Sequence, residues 1–231
     1  MNTHIIKLLF LAITITLMMT SCLKDDLNSP NVPQAGFTMI NVHTASNHII
    51  HKADNNFIQT MNNPLMFKGI NFVYLYPGNR KIQTIDASNK LLIDSAYAIK
   101  DSTLYTSYVF TKAENKISQH IIADTLLSNL GTNAAFRFLN FSYDKINVDM
   151  YDGETKILNN RPYDGNKLLS NHYKFATYSS GSKKIIIKND ANAILAEKDV
   201  NIVPGMHYSF VLIKHTTEDK YELVAHQQYR N

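Results

Sequence analysis

A chain of 231 residues with 23 basic and 19 acidic side chains carries a formal charge of +4, and no run of Lys or Arg longer than Lys183-Lys184 gathers that charge into a stripe. Nucleic acid is thereby excluded as the expected partner, because gripping phosphates takes clustered cations. A single cysteine excludes an intrachain disulfide, while 45% apolar residues with 13 Tyr, 11 Phe and no Trp exclude a disordered chain and suit half-buried strands.

In chain order, Lys7 precedes an uncharged run, Leu8–Met19, and then come Ser21 and Cys22. The run fits the apolar part of a secretory leader, about 7–15 residues, and falls short of the roughly 20 needed to span a bilayer as a helix. The arrangement resembles a bacterial lipoprotein signal, which implies cleavage after residue 21 and a diacylglyceryl group on Cys22. Two or three acyl chains hold a protein to a membrane where one does so only marginally, so the membrane is the first expected partner. A buried free thiol is the competing use of Cys22, and the adjacent Lys24, Asp25 and Asp26 argue against it. Those three residues resemble the export signal of Bacteroidota surface lipoproteins, which implies an outer-membrane protein facing the cell exterior. Residues 22–36, with Pro30, Pro33 and no apolar periodicity, read as a lipidated tether.

Beyond the tether the chain repeats itself. "FTMIN" (Phe37–Asn41) returns as "FRFLN" (Phe136–Asn140), "GNRKIQTI" (Gly78–Ile85) as "GSKKIIIK" (Gly181–Lys188), and "YTSYVF" (Tyr105–Phe110) as "YSFVLI" (Tyr208–Ile213). The matches are collinear, at offsets of 99, 103 and 103, as a duplicated domain requires. They divide the chain into a first domain over 37–130 and a second over 131–231.

Both copies read as β throughout. Asp152-Gly153 between two alternating runs predicts a hairpin with a type I′ turn, and Gly181 within "YSSGSKKIII" predicts the bend of a second hairpin. Pro204-Gly205 predicts a turn before the long strand ending near Ile213, with Lys220–Tyr229 pairing as the last strand. About seven short strands per copy predict two tandem antiparallel immunoglobulin-like β-sandwiches. "FRFLNFSYDKINVDMYDGETKI" (Phe136–Ile157) resembles the opening of the bacterial domain-of-unknown-function family 4397: an Arg-Phe-x-Asn strand, a turn, then a Val-Asp-x-Tyr strand closed by a Gly hairpin. The likeness covers residues 134–228 and, more faintly, 36–127. It implies a sandwich and export, without a known chemistry.

Several constellations invite a chemical reading. His43, His48 and His51 are separated by five and three positions, so no two share a strand face, and no zinc set completes them. Ser180 and Lys183 have the Ser-x-x-Lys spacing of penicillin-recognising enzymes but sit on a predicted hairpin rather than at a helix start. Asp144, Asp149 and Asp152 suggest paired carboxylates, more simply read as turn and surface residues. No enzyme, metal or cofactor is expected. Tyr163, His172, Tyr173 and Tyr178, around the long loop of the second copy, are the candidate ligand contacts, since loops on rigid sandwiches carry binding residues. Ser95, Ser102 and Thr125 match an Asp-Ser/Thr O-glycosylation sequon described for Bacteroidota. The sequence thus reads as a surface-anchored, non-catalytic binding module for a glycan or an envelope protein. The alternative is a structural part of an envelope assembly, with an enzyme third.

Overall fold

The computed structural model describes residues 32–112 and 116–230. Cys22, Lys24, Asp25 and Asp26, with the leader and most of the tether, lie outside the described residues. No helix among the described residues is long and apolar enough to cross a membrane. The fold is all-β and consists of two sandwiches of matching topology. In the first, β1 (Ala35–Val42), β5 (Ile70–Leu75), β8 (Leu104–Lys112) and β9 (Lys116–Asp124) form one sheet in the order β5-β1-β8-β9. The sheet facing it is β3-β2-β6-β7, made of β2 (His48–Ala53), β3 (Asn56–Phe57), β6 (Gly78–Ile85) and β7 (Leu91–Ile99), with β4 (Leu65–Met66) beside β2.

The second sandwich repeats this plan. β10 (Asn133–Asn140), β13 (Ala176–Ser179), β16 (Met206–Lys214) and β17 (Tyr221–Arg230) run β13-β10-β16-β17. β11 (Val148–Asp152), β12 (Thr155–Arg161), β14 (Gly181–Asn189) and β15 (Ile194–Ile202) run β12-β11-β14-β15. Pairing is antiparallel except that β1 lies parallel to β8, and β10 parallel to β16. These partners are joined through the whole sandwich rather than by a tight turn, so no hairpin dictates their direction.

Two local expectations need correcting. The β11–β12 hairpin forms, but Asp152 pairs with Thr155, so the turn is Gly153-Glu154. Only Gly153 has positive φ (57°), the pattern of type II′ rather than I′. At Gly181 (φ 104°) there is no hairpin: β13 belongs to one sheet and β14 to the other, and the glycine lets the chain cross between them. Gly78 (φ 120°) performs the same crossing from β5 to β6.

Each sandwich has its own core, around Phe37, Met39, Ile49 and Ile82 in the first and Phe138, Met150, Ile187 and Phe210 in the second. A third core joins them. Ile40, Val42, Tyr108, Phe110 and Ile122 pack with Leu139, Phe141, Val211, Ile213 and Val224, with Phe110 and Phe141 stacked at 4.1 Å. The sheets holding β1 and β10 are therefore covered on both faces, which is why β1 is buried along its whole length. Pro33–Asn231 accordingly form one compact unit.

The same joint holds a charge. Arg137, 2% exposed, reaches across to the Asp124 carboxylate at 2.5 Å and donates to Ser209 Oγ (2.8 Å), Thr106 Oγ1 (3.0 Å) and Gln228 Oε1 (3.1 Å). Its guanidinium lies 4.3 Å from the centre of the Phe175 ring. A buried charge persists only when its donors are satisfied in this way.

Candidate functional site

The four residues singled out around the second-copy loop do not form an exposed platform. Tyr178 belongs to the second core, its ring 4.8 Å from Phe136. Tyr173 packs on the joint between the sandwiches, and its carbonyl accepts from Arg137. Tyr163 lies across Gly165 so closely that any side chain there would strike its ring and hydroxyl, and burial pushes that hydroxyl up to about 12. His172 is buried, its Nδ1 2.6 Å from Asp164 Oδ1.

Asp164 itself is fully buried and explains the loop. Its other oxygen accepts from the Asn140 amide (2.9 Å), its own amide donates to the Asn140 carbonyl (2.8 Å), and its carbonyl meets His120 Nε2 of the first sandwich (3.1 Å). The segment from 162 to 175 is therefore a structural seal over the sandwich end. Proximity in sequence located the cluster, but inward and outward positions in an irregular loop carry no period to distinguish them.

Exposed aromatic surface lies instead in the first copy. Of the twelve large apolar side chains most exposed among the described residues, seven fall between Phe57 and Tyr76. On β5, Ile70, Phe72 and Tyr74 share one face by the two-residue repeat, and Tyr76 continues the row. Phe72 and Tyr74 meet edge to face at 5.0 Å. β3 and β5 are the edge strands of their two sheets, and between them opens a cleft of about 180 Å³ lined by Asp54, Asn56, Phe57, Tyr74, Tyr76 and Arg80. Phe57, Tyr74 and Tyr76 are 53%, 63% and 65% exposed, so their faces are available.

The cleft has a rigid polar frame. Asp54 and Asn55 both take positive φ (48° and 71°), the two-residue I′ turn that joins β2 to β3. Asp54 Oδ1 accepts from the Lys81 amide (2.8 Å) and Oδ2 from Arg80 (2.7 Å). The Lys81 amide first, and Arg80 second, hold this carboxyl below its ordinary range. Arg80 also donates to the carbonyls of Tyr76 (2.8 Å) and Pro77 (2.9 Å), tying the aromatic row to the opposite turn. Even spacing in "INFVYLY" was the available signal. It pointed nowhere by itself, because Val73 and Leu75 make the other face of β5 equally apolar.

The remaining motifs are absorbed by the fold. Ser180 donates to the Thr132 carbonyl (2.7 Å) while Lys183 reaches Ser179 and Asp152, so the Ser-x-x-Lys pair is not assembled. Asp149 pairs with Lys156, Asp152 with Lys183, and Asp144 with Lys214 and the Tyr221 hydroxyl. His43 bonds Thr111, His51 is buried in the first sandwich, and no group of three metal-ligating side chains occurs among the described residues. Ser102 and Thr125 are exposed; Ser95 is half-buried on β7. The sequon acid Asp124 is the buried partner of Arg137.

No family model and no curated protein matches the chain. Among solved structures, a family 26 carbohydrate-binding module of Eubacterium rectale Amy13K, in complex with maltoheptaose, is similar at 8% identity over 86% of this chain and 98% of its own, with a TM-score of 0.24. A DUF3823 family protein from Bacteroides ovatus matches at 15% identity over 74% and 98%, TM-score 0.21. A protein described as a cell adhesion protein from Bacteroides uniformis matches at 10% identity over 84% and 98%, TM-score 0.25. Overlaps this low carry no argument, and the functional reading rests on this chain's own surface.

Proposed function

We propose that this chain is a lipid-anchored envelope protein that binds a neutral sugar chain, without catalysis, in the cleft between β3 and β5. The observation that carries it is the row of exposed rings, Phe57, Tyr74 and Tyr76, set beside Asp54, Asn56 and Arg80. Flat aromatic faces with a few fixed polar groups are what a small polar ring with apolar faces requires. A tether lipidated at Cys22, with export directed by Lys24, Asp25 and Asp26, would present the cleft outside the cell. The repeat unit is read as kin to family 4397, on the resemblance of its opening strands.

Titration of the purified protein with neutral oligosaccharides tests the cleft. Tyr74→Ala and Tyr76→Ala are expected to weaken binding tenfold or more with the melting curve unchanged. Undiminished affinity in the double variant would sink the assignment. Palmitate labelling tests the anchor, with label expected in the wild type and absent from Cys22→Ala.

A second reading has its own support. β5 is a free edge, and Ile70 and Phe72 stay exposed beyond the cleft, as a strand-pairing contact in an envelope assembly would need. In that case Phe72→Ala, rather than Tyr76→Ala, would abolish the association.

A further inference from the structure

The second sandwich holds a cation that forms no direct ion pair among the described residues. Arg161, the last residue of β12, stands opposite Val148 across the β11–β12 pair. Cross-strand partners share a face, and Val148 is part of the second core, so the Arg161 side chain enters the sandwich rather than solvent. Its guanidinium lies 5.9 Å from the Phe138 ring centre, and the residue is only 9% exposed.

Such a charge demands partners, and Arg161 has few. Among the described residues its guanidinium makes one hydrogen bond, a long donation to the His172 carbonyl at 3.5 Å. Among the described residues it makes no ion pair within 4.0 Å. Asp164 acts on it only through space, since one oxygen of that carboxylate is held by His172 and the other by the Asn140 amide. Arg137 shows the contrast: more deeply buried, it is bonded to Asp124, Ser209, Thr106 and Gln228.

Arg161 also borders an open hollow. About 220 Å³ of space is lined by Arg161 with Asn159, Asn160, Pro162, Asn171 and His172. At about 30 Å³ per water, this holds a group several times larger than a solvent molecule. No acidic side chain lines it, and three amide residues do. A planar fork of N–H donors with one long hydrogen bond and no direct ion pair among the described residues is matched best by a carboxylate, which it can take in two parallel hydrogen bonds.

We infer that Arg161 and its surrounding amides form a carboxylate-binding subsite, distinct from the aromatic cleft of the first sandwich, for a ligand bearing an uronic acid or a chain-terminal carboxyl. The site does not depend on the neutral-sugar reading, and the two can fail separately.

The purified protein is titrated with sodium glucuronate, with glucose, with a neutral-capped dipeptide carrying a free C-terminal carboxyl, and with the same dipeptide amidated. Saturable binding of glucuronate or the free-acid dipeptide, and none of glucose or the amide, is the expected result. The stronger of the two acids identifies the source. Arg161→Lys keeps the charge but loses the fork, and is expected to weaken binding at least fivefold. Asn171→Asp, an exposed change that leaves the fold intact, adds a repelling charge at the rim and is expected to do the same. Tyr76→Ala should leave the acid affinity unchanged. The assignment is overturned if no acid binds at millimolar concentration, if glucose binds as well as glucuronate, or if folded Arg161→Lys and Asn171→Asp both stay within twofold of wild type.

Discussion

The two sandwiches share a topology and treat the same edge in opposite ways. Tyr74 lies opposite Gly36 on β1, and Thr177 lies opposite Ala135 on β10. Aligning the repeated strands makes Gly36 the counterpart of Ala135, so Tyr74 corresponds to Thr177, Phe72 to Phe175 and Ile70 to Tyr173. In the first copy Ile70, Phe72 and Tyr74 are exposed. In the second, Phe175 is buried over Arg137 and against His207, and Tyr173 packs on the joint. The same strand plan thus carries one edge that seals the molecule and one that stays exposed.

The largest effects should come from breaking the seal. Arg137→Ala strands the Asp124 carboxylate in the joint, and is expected to cost about 3–5 kcal/mol, read as a drop in the urea midpoint. Phe175→Ala removes the ring that roofs the same guanidinium, with a cost near the lower end of that range. If either variant melts like the wild type, the joint does not hold the sandwiches together as described.

Acid should act next, and through the first copy. His51 is fully buried, its ring nitrogens find no hydrogen-bond geometry among the described residues, and burial, opposed by Gln59, pushes its pKa down from 6.5 to about 4. The fold therefore favours the neutral ring: its contribution is complete above pH 6.5 and is lost as the pH falls from 6.5 to about 4. For this residue the loss is about 3 kcal/mol at most. Thr84 faces it from β6, and Gln59 approaches from beyond β3. By strand register its second-copy counterpart is Met150, opposite Ile187 as His51 is opposite Thr84. His51→Met, which copies that core, should flatten the acid limb of a stability–pH curve. His43 and His226, also lowered to about 4 by burial, keep some slope in the variant. An unaltered curve would show that the histidine is not a site of acid sensitivity.

Much of this architecture was legible in the chain. Strands of the outer sheets alternate visibly, as in β15, and the collinear repeat fixed two copies because the same strand order needs the same spacing of apolar faces. The joint was not legible. β8 and β16 are buried on both faces, so "LYTSYVFTK" and "MHYSFVLIK" lose the alternation that assigns a face. Gly181 looks like a hairpin bend in the sequence because a positive φ permits either a tight turn or a crossing, and only pairing partners decide. The burial of the loop tyrosines is hidden for a related reason: nothing local in "NNRPYDGNK" announces that Asp164 draws the segment inward.

The smallest effect is the sharpest test of the comparison. Phe72 is 44% exposed and occupies the position that Phe175 fills at 7%. Its ring edge leans on Gly36, where a Cβ would come within 2.9 Å, so truncation removes surface contacts with Gly36 and Tyr74 and opens no enclosed cavity. Phe72→Ala should therefore shift the unfolding free energy by about 0.5 kcal/mol or less. Placed beside Phe175→Ala, the same substitution at corresponding positions should differ by several-fold in cost. Equal costs at the two positions would mean that β5 is as structural as β13, and the exposed row would then be a packing surface rather than a binding edge.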